Sequence, residues 1–383
     1  MIKTTDNLEA LVGRLEGAEF VTIDTEFIRD TTYWPRLCLV QLAGPEGEES
    51  IIDPLADGLQ LEPLLDLLAD SRTVKVFHAA RQDVEIFYHR GGVIPEPLFD
   101  TQVAAMVCGY GESVSYENLV RGITGHRIDK SSRFTDWSRR PLSERQLNYA
   151  LSDVTHLREI YRTLRGKLDE TEREHWLEEE LAVLQNPETY TLRPEDAWRR
   201  IKSRNTNRRF LAVLRAVAAW REREAQERDV PRNRVMKDDG LLEIAANAPA
   251  STAELDKLRG VPRGFSRSRA AAGLVKAVAK ARDLDKADLP EAPRRAGGPS
   301  AKVNGSMVDL LRVLLKLKCE KHHVAQKLVA TAADLERIAA EDEPDVPALH
   351  GWRARVFGED ARALKEGRLA LALEDGKAVI VER

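Results

Sequence analysis

The first 168 residues alternate between strand-like and helix-like segments, and this alternation constrains the fold more than any other feature of the chain. Short runs rich in β-branched residues are separated by stretches in which leucines recur at helical spacing. Such alternation predicts an α/β domain, in which helices cover a sheet. The expected strands are 18–23, 36–43, 49–52 and 73–77, and the expected helices are 6–15, 59–68 and 80–90.

From Ser143 onward the pattern is helical. Ser143 and Gln146 are spaced as a capping box, and the helix that they open can run without proline to about Lys167. Because 383 residues are too many for one ordinary core, we expect two or three domains. The predicted segments are an α/β domain at 1–168, a helical connector at 169–195, an all-α domain at 196–286, a linker at 287–302 and a second all-α domain at 303–383, which ends in a β-hairpin around Asp375-Gly376.

The net charge of −4 is no global sign of nucleic-acid binding, so any basic surface must be local. Residues 193–237 hold 14 Lys and Arg against 6 Asp and Glu, which predicts a weak, local nucleic-acid surface in this part of the chain. An ordinary charged helix exterior is the alternative interpretation. The basic residues expected on this surface are Arg199, Arg200, Lys202, Arg204, Arg208, Arg209 and Arg215.

The chain has the features of a cytoplasmic protein. Its three cysteines are scattered and none lies in a C-x-x-C motif, which argues against disulfides and fits a reducing compartment. The N-terminus lacks the apolar core of a signal peptide. No uncharged apolar run approaches the roughly 20 residues needed to span a bilayer, so we expect no membrane partner.

Four acidic residues and one tyrosine are the strongest functional signal. Asp24 and Glu26 share one face of a strand, and we expect that strand to end there, at an accessible edge. Asp83 lies one turn into a helix that follows a buried strand, and Tyr149 and Asp153 share one face of a helix. Clustered carboxylates repel each other unless a cation neutralises them, and oxygen ligands suit Mg²⁺ or Mn²⁺. Taken singly, each acidic residue fits a solvated carboxylate better than a catalytic one, and Tyr149 fits a core tyrosine; only the three motifs together, in order, favour a catalytic site.

The order D-x-E, D, Y-x-x-x-D resembles the DEDD superfamily of 3′→5′ exonucleases, which have a ribonuclease H-like fold. Tyr149 matches the tyrosine branch of that superfamily, since Asn148 stands where the other branch has histidine. The segment Thr135–Ser143, followed by Gln146–Ala150, is similar to a signature of the bacterial ribonuclease D family. The resemblance implies an α/β ribonuclease H-like exonuclease domain, with a mixed sheet flanked by helices.

The helical part of the chain resembles the HRDC domain. The matching stretches are Pro231–Asp239, Leu242–Ala245 and Leu255–Gly260. Residues 303–370 match more weakly, so the resemblance implies two all-α HRDC-type domains after the exonuclease domain. A helicase is not expected, because the chain has no G-x-x-x-x-G-K-[ST] phosphate loop.

The resemblance implies a 3′→5′ exoribonuclease that releases 5′-mononucleotides by two-metal-ion hydrolysis, acting on tRNA precursors and other structured RNA with a free 3′ end. The expected ligands of two Mg²⁺ or Mn²⁺ ions are Asp24 for both, Glu26 and Asp153 for the first, and Asp83 for the second. Tyr149, with a reference pKa near 10, is expected to orient the attacking water rather than act as a base. The alternatives are a single-strand DNA exonuclease and a non-catalytic RNA-binding module. No obligate protein partner is inferred.

Five further residues are expected to contact the substrate. Phe27 follows the catalytic pair and could stack on terminal bases, although it also fits a core position. His78 could reach the terminal nucleotide, or be a satisfied structural histidine. Arg133, Trp137 and Arg140 belong to a basic loop that also contains Phe134, and such loops suit single-stranded RNA unless the tryptophan is anchored in the core.

Overall fold

The computed structural model describes residues 1–133, 135–291 and 304–383, which form two units. The first unit comprises Met1–Glu26, Cys38–Thr189 and the described C-terminal residues 304–383. The second unit comprises Phe27–Leu37 and the described residues 190–291. The chain that follows Glu26 therefore belongs to the second unit until it returns at Cys38. The segment boundaries predicted from the sequence stay predictions.

A five-stranded mixed sheet is the centre of the first unit, with the strand order β3-β2-β1-β4-β5. Strand β1 pairs in parallel with β4, β4 in parallel with β5, and β2 antiparallel with β3. The fully buried side chains of Phe20, Ile23, Leu39, Leu42 and Phe77 form part of its core. The strands are β1 Phe20–Ile28, β2 Arg36–Ala43, β3 Ser50–Ile52, β4 Val74–Phe77 and β5 Leu98–Asp100.

The predicted end of the first strand at Ile23 is wrong, because β1 continues to Ile28. The two carboxylates interrupt the apolar pattern, but Thr25 between them remains buried, and so the pleat continues. The neighbouring strand β4 ends first, since Thr22 pairs with Val76 and Phe77 is the last residue of β4. Asp24 and Glu26 therefore lie on β1 beyond the end of its parallel neighbour.

Helices flank this sheet, and the longest of them presents one buried face. The capping box of Ser143 and Gln146 is present, and it opens a 27-residue helix, α6. The buried residues of α6 recur at helical spacing: Ala150, Asp153, Val154, Leu157, Ile160, Tyr161, Leu164 and Leu168. Asp153 is thus carried on an otherwise apolar face. The helices up to residue 189 are α1 Thr5–Leu15, α2 Glu62–Ala69, α3 Arg81–Gly91, α4 Thr101–Val107, α5 Tyr116–Ile123, α6 Glu144–Glu170 and α7 Glu174–Gln185.

The C-terminal residues of the first unit are helical and end in the predicted hairpin. Strands β6 and β7 pair up to Glu374 and Lys377, which leaves Asp375 and Gly376 as a two-residue turn. Both turn residues have positive φ, 50° and 75°, as a hairpin turn of this length favours. The elements are α13 Gly305–His322, α14 Gln326–Val329, α15 Ala332–Ala340, α16 Gly351–Arg353, a π-helical turn Ala354–Gly358, α17 Glu359–Lys365, β6 Leu369–Glu374 and β7 Lys377–Glu382.

An aromatic stack joins α7 to this C-terminal part. The rings of Trp176 and Trp352 lie parallel, with centroids 4.1 Å apart. The Arg173 guanidinium lies 4.6 Å over Trp176, and that of Arg353 lies 4.4 Å over Trp352. Four stacked planes, Arg–Trp–Trp–Arg, thus hold residues 304–383 against α7.

The second unit is a helical bundle that encloses the loop between β1 and β2. No strand occurs among its described residues 190–291, as the sequence predicts. Tyr33 of the loop is buried, and its hydroxyl donates a short hydrogen bond to buried Glu222, which Arg232 also contacts through two bonds of 2.6 Å. The helices are α8 Arg208–Glu227, α9 Arg232–Val235, α10 Asp238–Asn247, α11 Thr252–Leu255 and α12 Arg269–Arg282. No helix in the described part of the chain is long and apolar enough to cross a membrane.

Candidate active site

Three of the four predicted acidic residues converge at one point. Oxygen atoms of Asp24, Glu26 and Asp153 all lie within 4.8 Å of one another. Two of them come from alternate positions on β1, beyond the end of β4, and the third comes from the buried face of α6. Residues more than 120 positions apart in the chain thereby form a single carboxylate cluster.

The cluster resists ionisation in the absence of a cation. Burial, and then the negative charge of Asp153, raise the pKa of Asp24 well above its usual range. Burial and the charges of Asp24, Asp153 and Asp83 raise the pKa of Glu26 to about 10, although the positive charge of Arg133 opposes the shift. Burial likewise raises the pKa of Asp153 to about 7.

Asp83 lies beside this cluster but is not one of its three members. It is buried in the first turn of α3, and its carboxylate accepts a 2.5 Å hydrogen bond from the hydroxyl of Thr25. Burial and the charge of Asp24 raise the pKa of Asp83 well above its usual range. The charge interactions place Asp83 close to Asp24 and Glu26, and its Oδ1 atom is held by Thr25.

The donors of this site fit a divalent metal ion. All are carboxylate oxygens, the ligands that hard divalent cations such as Mg²⁺ and Mn²⁺ prefer. The raised pKa values of Asp24, Glu26, Asp83 and Asp153 mean that the buried carboxyls retain protons, which a bound cation would displace.

Tyr149 lies one turn before Asp153 on α6 and donates a hydrogen bond from its hydroxyl to that carboxylate. Burial and the charges of Asp153, Glu26 and Asp24 raise the pKa of Tyr149 above its usual value. The phenol therefore remains protonated at neutral pH and is a hydrogen-bond donor. A phenol has one O–H, which Asp153 accepts here, so the predicted role in orienting water would use the lone pairs of the oxygen, and that role stays a prediction.

Two of the predicted substrate-contact residues are engaged within the protein. Trp137 is 2% exposed, and its ring lies against that of Tyr149, with centroids 6.1 Å apart. Arg140 donates two hydrogen bonds to Asp53, of 2.8 and 2.6 Å, and others to backbone carbonyls. The basic and aromatic pattern of this loop suggested RNA binding, but the aromatic ring is core and the guanidinium is used internally.

The other predicted contacts lie near the cluster. Arg133 is exposed, and its charge acts on Glu26 and Asp153. Phe27 follows Glu26 on β1 and is partly exposed. His78 shares a 3.0 Å hydrogen bond between Nδ1 and the Thr101 hydroxyl, its ring also hydrogen-bonds the backbone of Val114, and its Nε2 is buried. Phe134 lies outside the described residues.

Two residues of the site were missed from the sequence. Thr25 alternates with Asp24 and Glu26 along β1 and so points to the other side of the strand, yet its hydroxyl donates a hydrogen bond to Asp83. Tyr116 donates a 3.0 Å hydrogen bond to the carbonyl of Ser152, and the charges of Asp153 and Asp24 act on it. Nothing in the spacing around Tyr116 indicates this contact, because it depends on how α5 packs against α6.

A mixed α/β sheet that carries a half-buried carboxylate cluster beside a tyrosine hydroxyl fits a metal-dependent 3′→5′ exonuclease. Comparison with known proteins supports that class. Residues 1–169 match a family model described as 3′-5′ exonuclease, and residues 210–278 match the HRDC domain model. The predicted exonuclease fold followed by a helical HRDC domain is thereby confirmed.

Full-length relatives narrow the assignment. The chain is 51% identical to a ribonuclease D of Nitrobacter hamburgensis, over 100% of this chain and 99% of the relative. It is 53% identical to a ribonuclease D of Granulibacter bethesdensis, over 99% and 95%. Among solved structures it is similar to Escherichia coli RNase D, an exoribonuclease involved in structured RNA processing, with 31% identity, a TM-score of 0.81, and coverage of 96% and 98%. The chain belongs to the ribonuclease D family and is a 3′→5′ exoribonuclease.

Proposed function

We propose that this exoribonuclease shortens tRNA precursors and other structured RNAs from the 3′ end, releasing 5′-mononucleotides one at a time in the cytoplasm. The observation that carries the proposal is the convergence of Asp24, Glu26 and Asp153, with Asp83 beside them. The RNA substrate is supported by the full-length ribonuclease D relatives and by the similar E. coli enzyme, which processes structured RNA.

The site would hold two Mg²⁺ or Mn²⁺ ions. Asp24, Glu26 and Asp153 are suited to the first ion, and Asp24 and Asp83 to the second. When bound, such a pair of ions supplies an activated water and stabilises the leaving 3′ oxygen. Thr25 fixes the carboxylate of Asp83 through its hydroxyl. Tyr149 donates a hydrogen bond at the edge of the cluster and orients the attacking water.

Substrate positioning falls to three residues around the cluster. Arg133 is exposed and its positive charge acts on the cluster, so it is placed to neutralise a phosphate. Phe27 is partly exposed beside Glu26 and would stack on a terminal base. His78, whose Nε2 is buried close to the cluster, would contact the terminal nucleotide. Trp137 and Arg140 have no place in this set.

The second unit would contribute a further RNA surface. Arg199, Arg200, Lys202 and Arg204 are exposed and precede α8. Arg208 and Arg209 are less suited to this role than the sequence predicted, because Arg209 donates to the carbonyls of Arg282 and Leu284, and Arg208 to those of Leu289 and Pro290. We also propose that residues 303–383 are a divergent HRDC-type domain with a C-terminal hairpin, and that the boundaries near residues 168, 195, 286 and 302 separate the domains.

Incubation of the full chain with end-labelled tRNA carrying a 3′ extension tests the proposal. We expect stepwise loss of 3′ nucleotides with Mg²⁺ or Mn²⁺, full inhibition by EDTA, and no cleavage by Asp24→Ala with RNA binding retained. Internal cuts or resistance to EDTA would contradict it. A DNA of the same sequence tests the single-strand DNA exonuclease alternative, and undiminished biological activity of Asp24→Ala would favour the non-catalytic one.

A further inference from the structure

The segment Thr135–Ser143, which carries the family signature, is held rigidly between the sheet and α6. We propose that Asp53, Arg140 and Trp137, here called the Tyr149 support, are positioning residues that fix the ring of Tyr149 in the active site. The inference rests on the role proposed above for Tyr149 and assigns this segment to positioning instead of RNA binding.

Arg140 ties the segment to the sheet. Its Nε and Nη2 atoms donate to the two carboxylate oxygens of Asp53, at 2.8 and 2.6 Å. Nη2 also donates to the carbonyl of Cys38 on β2 at 2.8 Å. Nη1 donates to the carbonyls of Trp137 and Arg139, at 2.8 and 2.9 Å. A guanidinium has five N–H groups, so these five bonds use every donor.

The carboxylate of Asp53, which accepts from Arg140, is also buried and fully engaged in hydrogen bonds. The Asp53 side chain is 3% exposed, and it also accepts a 3.1 Å hydrogen bond from the backbone of Leu55, just past β3. The Arg140 side chain keeps 23% of its surface, but none of its N–H groups is available for a phosphate. Arg140 therefore connects β2, the end of β3 and the backbone of Trp137.

Trp137 connects this anchored segment to the active site through its contact with Tyr149. Its ring is buried and faces that of Tyr149 at an interplanar angle of 30°. Its indole N–H has no hydrogen-bond partner among the described residues, so the shape of the ring, not a polar contact, is what the site uses. On the other edge of Tyr149, its hydroxyl bonds Asp153. The phenol of Tyr149 thus contacts the buried ring of Trp137 and hydrogen-bonds the carboxylate of Asp153.

A double-mutant cycle tests whether Trp137 acts through Tyr149. Trp137→Phe should lower kcat about 10- to 100-fold, because small misplacements of groups in a site are costly, while KM changes less than about twofold. In a Tyr149→Phe background, the same substitution should change kcat less than about twofold. Arg140→Lys, which keeps the charge but not the fork of donors, should reproduce the kcat loss.

Matched controls separate positioning from general destabilisation. Trp176→Phe makes the same change at a buried tryptophan of the first unit that stacks on Trp352. Arg158→Lys makes the same change at a largely buried arginine elsewhere, on α6, which pairs with Glu49. Both should leave kcat within about twofold. Thermal melting of each variant, with and without Mg²⁺, identifies any that fail to fold, and Arg140→Lys then carries the test if Trp137→Phe does not.

The outcomes distinguish this inference from the proposed function. Additive losses in the double variant would overturn the inference and leave the exonuclease role of Tyr149 intact. A raised KM with unchanged kcat in Trp137→Phe would restore the RNA-contact interpretation. An unaffected kcat in Tyr149→Phe would overturn the role of Tyr149 itself, and with it the inference, while cleavage by the carboxylate cluster would stand.

Discussion

At the scale of single residues, burial and mutual repulsion keep the carboxyls of the cluster protonated when no cation is bound. The folded-state pKa values lie above those of the unfolded chain, at about 7 for Asp153 and about 10 for Glu26. The metal-free folded protein therefore binds more protons than the unfolded chain between pH 4 and those values. Its free energy of unfolding must fall as pH rises through that window.

Glu26→Gln tests this relation. We expect cleavage to be lost, and the metal-free variant to gain about 1 kcal/mol or more of stability at pH 8, since one pKa unit corresponds to about 1.4 kcal/mol. At pH 4 the gain should largely vanish, because the glutamate is then mostly protonated in the unfolded chain as well as in the folded one. Melting in EDTA across this pH range measures the effect.

Two comparisons make the pH test specific. Asp57→Asn removes a carboxylate from an exposed position of the first unit and should show no comparable pH-dependent gain. Saturating Mg²⁺ should raise the melting temperature of the wild-type protein at pH 8 and have less effect on Glu26→Gln. A variant that is less stable than wild type at pH 8 in EDTA would contradict the expectation.

At the scale of elements, the loop between β1 and β2 is held within the second unit by hydrogen bonds to Asp229 and to the buried carboxylate of Glu222. Asp229 accepts hydrogen bonds from the backbone of both Tyr33 and Trp34, each at 3.0 Å. Glu222 binds Arg232, whose guanidinium also lies 4.6 Å over the ring of Tyr33. The loop that continues the catalytic strand thus depends on α8 and α9 for its conformation.

Glu222→Ala should destabilise the second unit by about 3 kcal/mol. Loss of one partner of a buried pair leaves the other uncompensated, and Arg232 keeps only 34% of its side-chain surface. Chemical denaturation of the full chain, followed by circular dichroism, measures the loss. Glu227→Ala, an exposed position of the same helix, is the control and should be nearly neutral. Equal effects at the two positions would contradict the account.

Secondary-structure elements could be predicted from the sequence where residues close together in the chain determine them. The bounds of β2, the capping box of α6 and the Asp375-Gly376 turn follow from neighbouring residues, and the structure has all three. The environment of Trp137 is not local, because whether a ring faces RNA or Tyr149 depends on a bond between Arg140 and Asp53, 87 positions apart. Thr25 and Tyr116 escaped prediction for the same reason.

At the scale of the whole molecule, the basic stretch before α8 should act on RNA affinity and not on chemistry. Replacement of Arg200, Lys202 and Arg204 by alanine should weaken binding of structured RNA and reduce the salt dependence of log K by about 2, at about 0.7 per phosphate contact on single strands. Cleavage of a short oligonucleotide at saturating concentration should be unchanged.

The control for this triple variant is replacement of three exposed lysines of the C-terminal residues, Lys316, Lys321 and Lys327, which changes the net charge equally. A matching loss of salt dependence in the control would mean that total charge, and not the stretch before α8, sets affinity.

The paired tryptophans of α7 and α16 bear on any attempt to dissect this enzyme. A chain cut short before residue 304 would lose Trp352 and leave the flat face of Trp176 open to water, with Arg173 on its other side. Such a fragment would expose an aromatic surface that favours self-association. Weak activity or self-association of this fragment could therefore result from the exposed Trp176 ring as well as from a loss of RNA contacts.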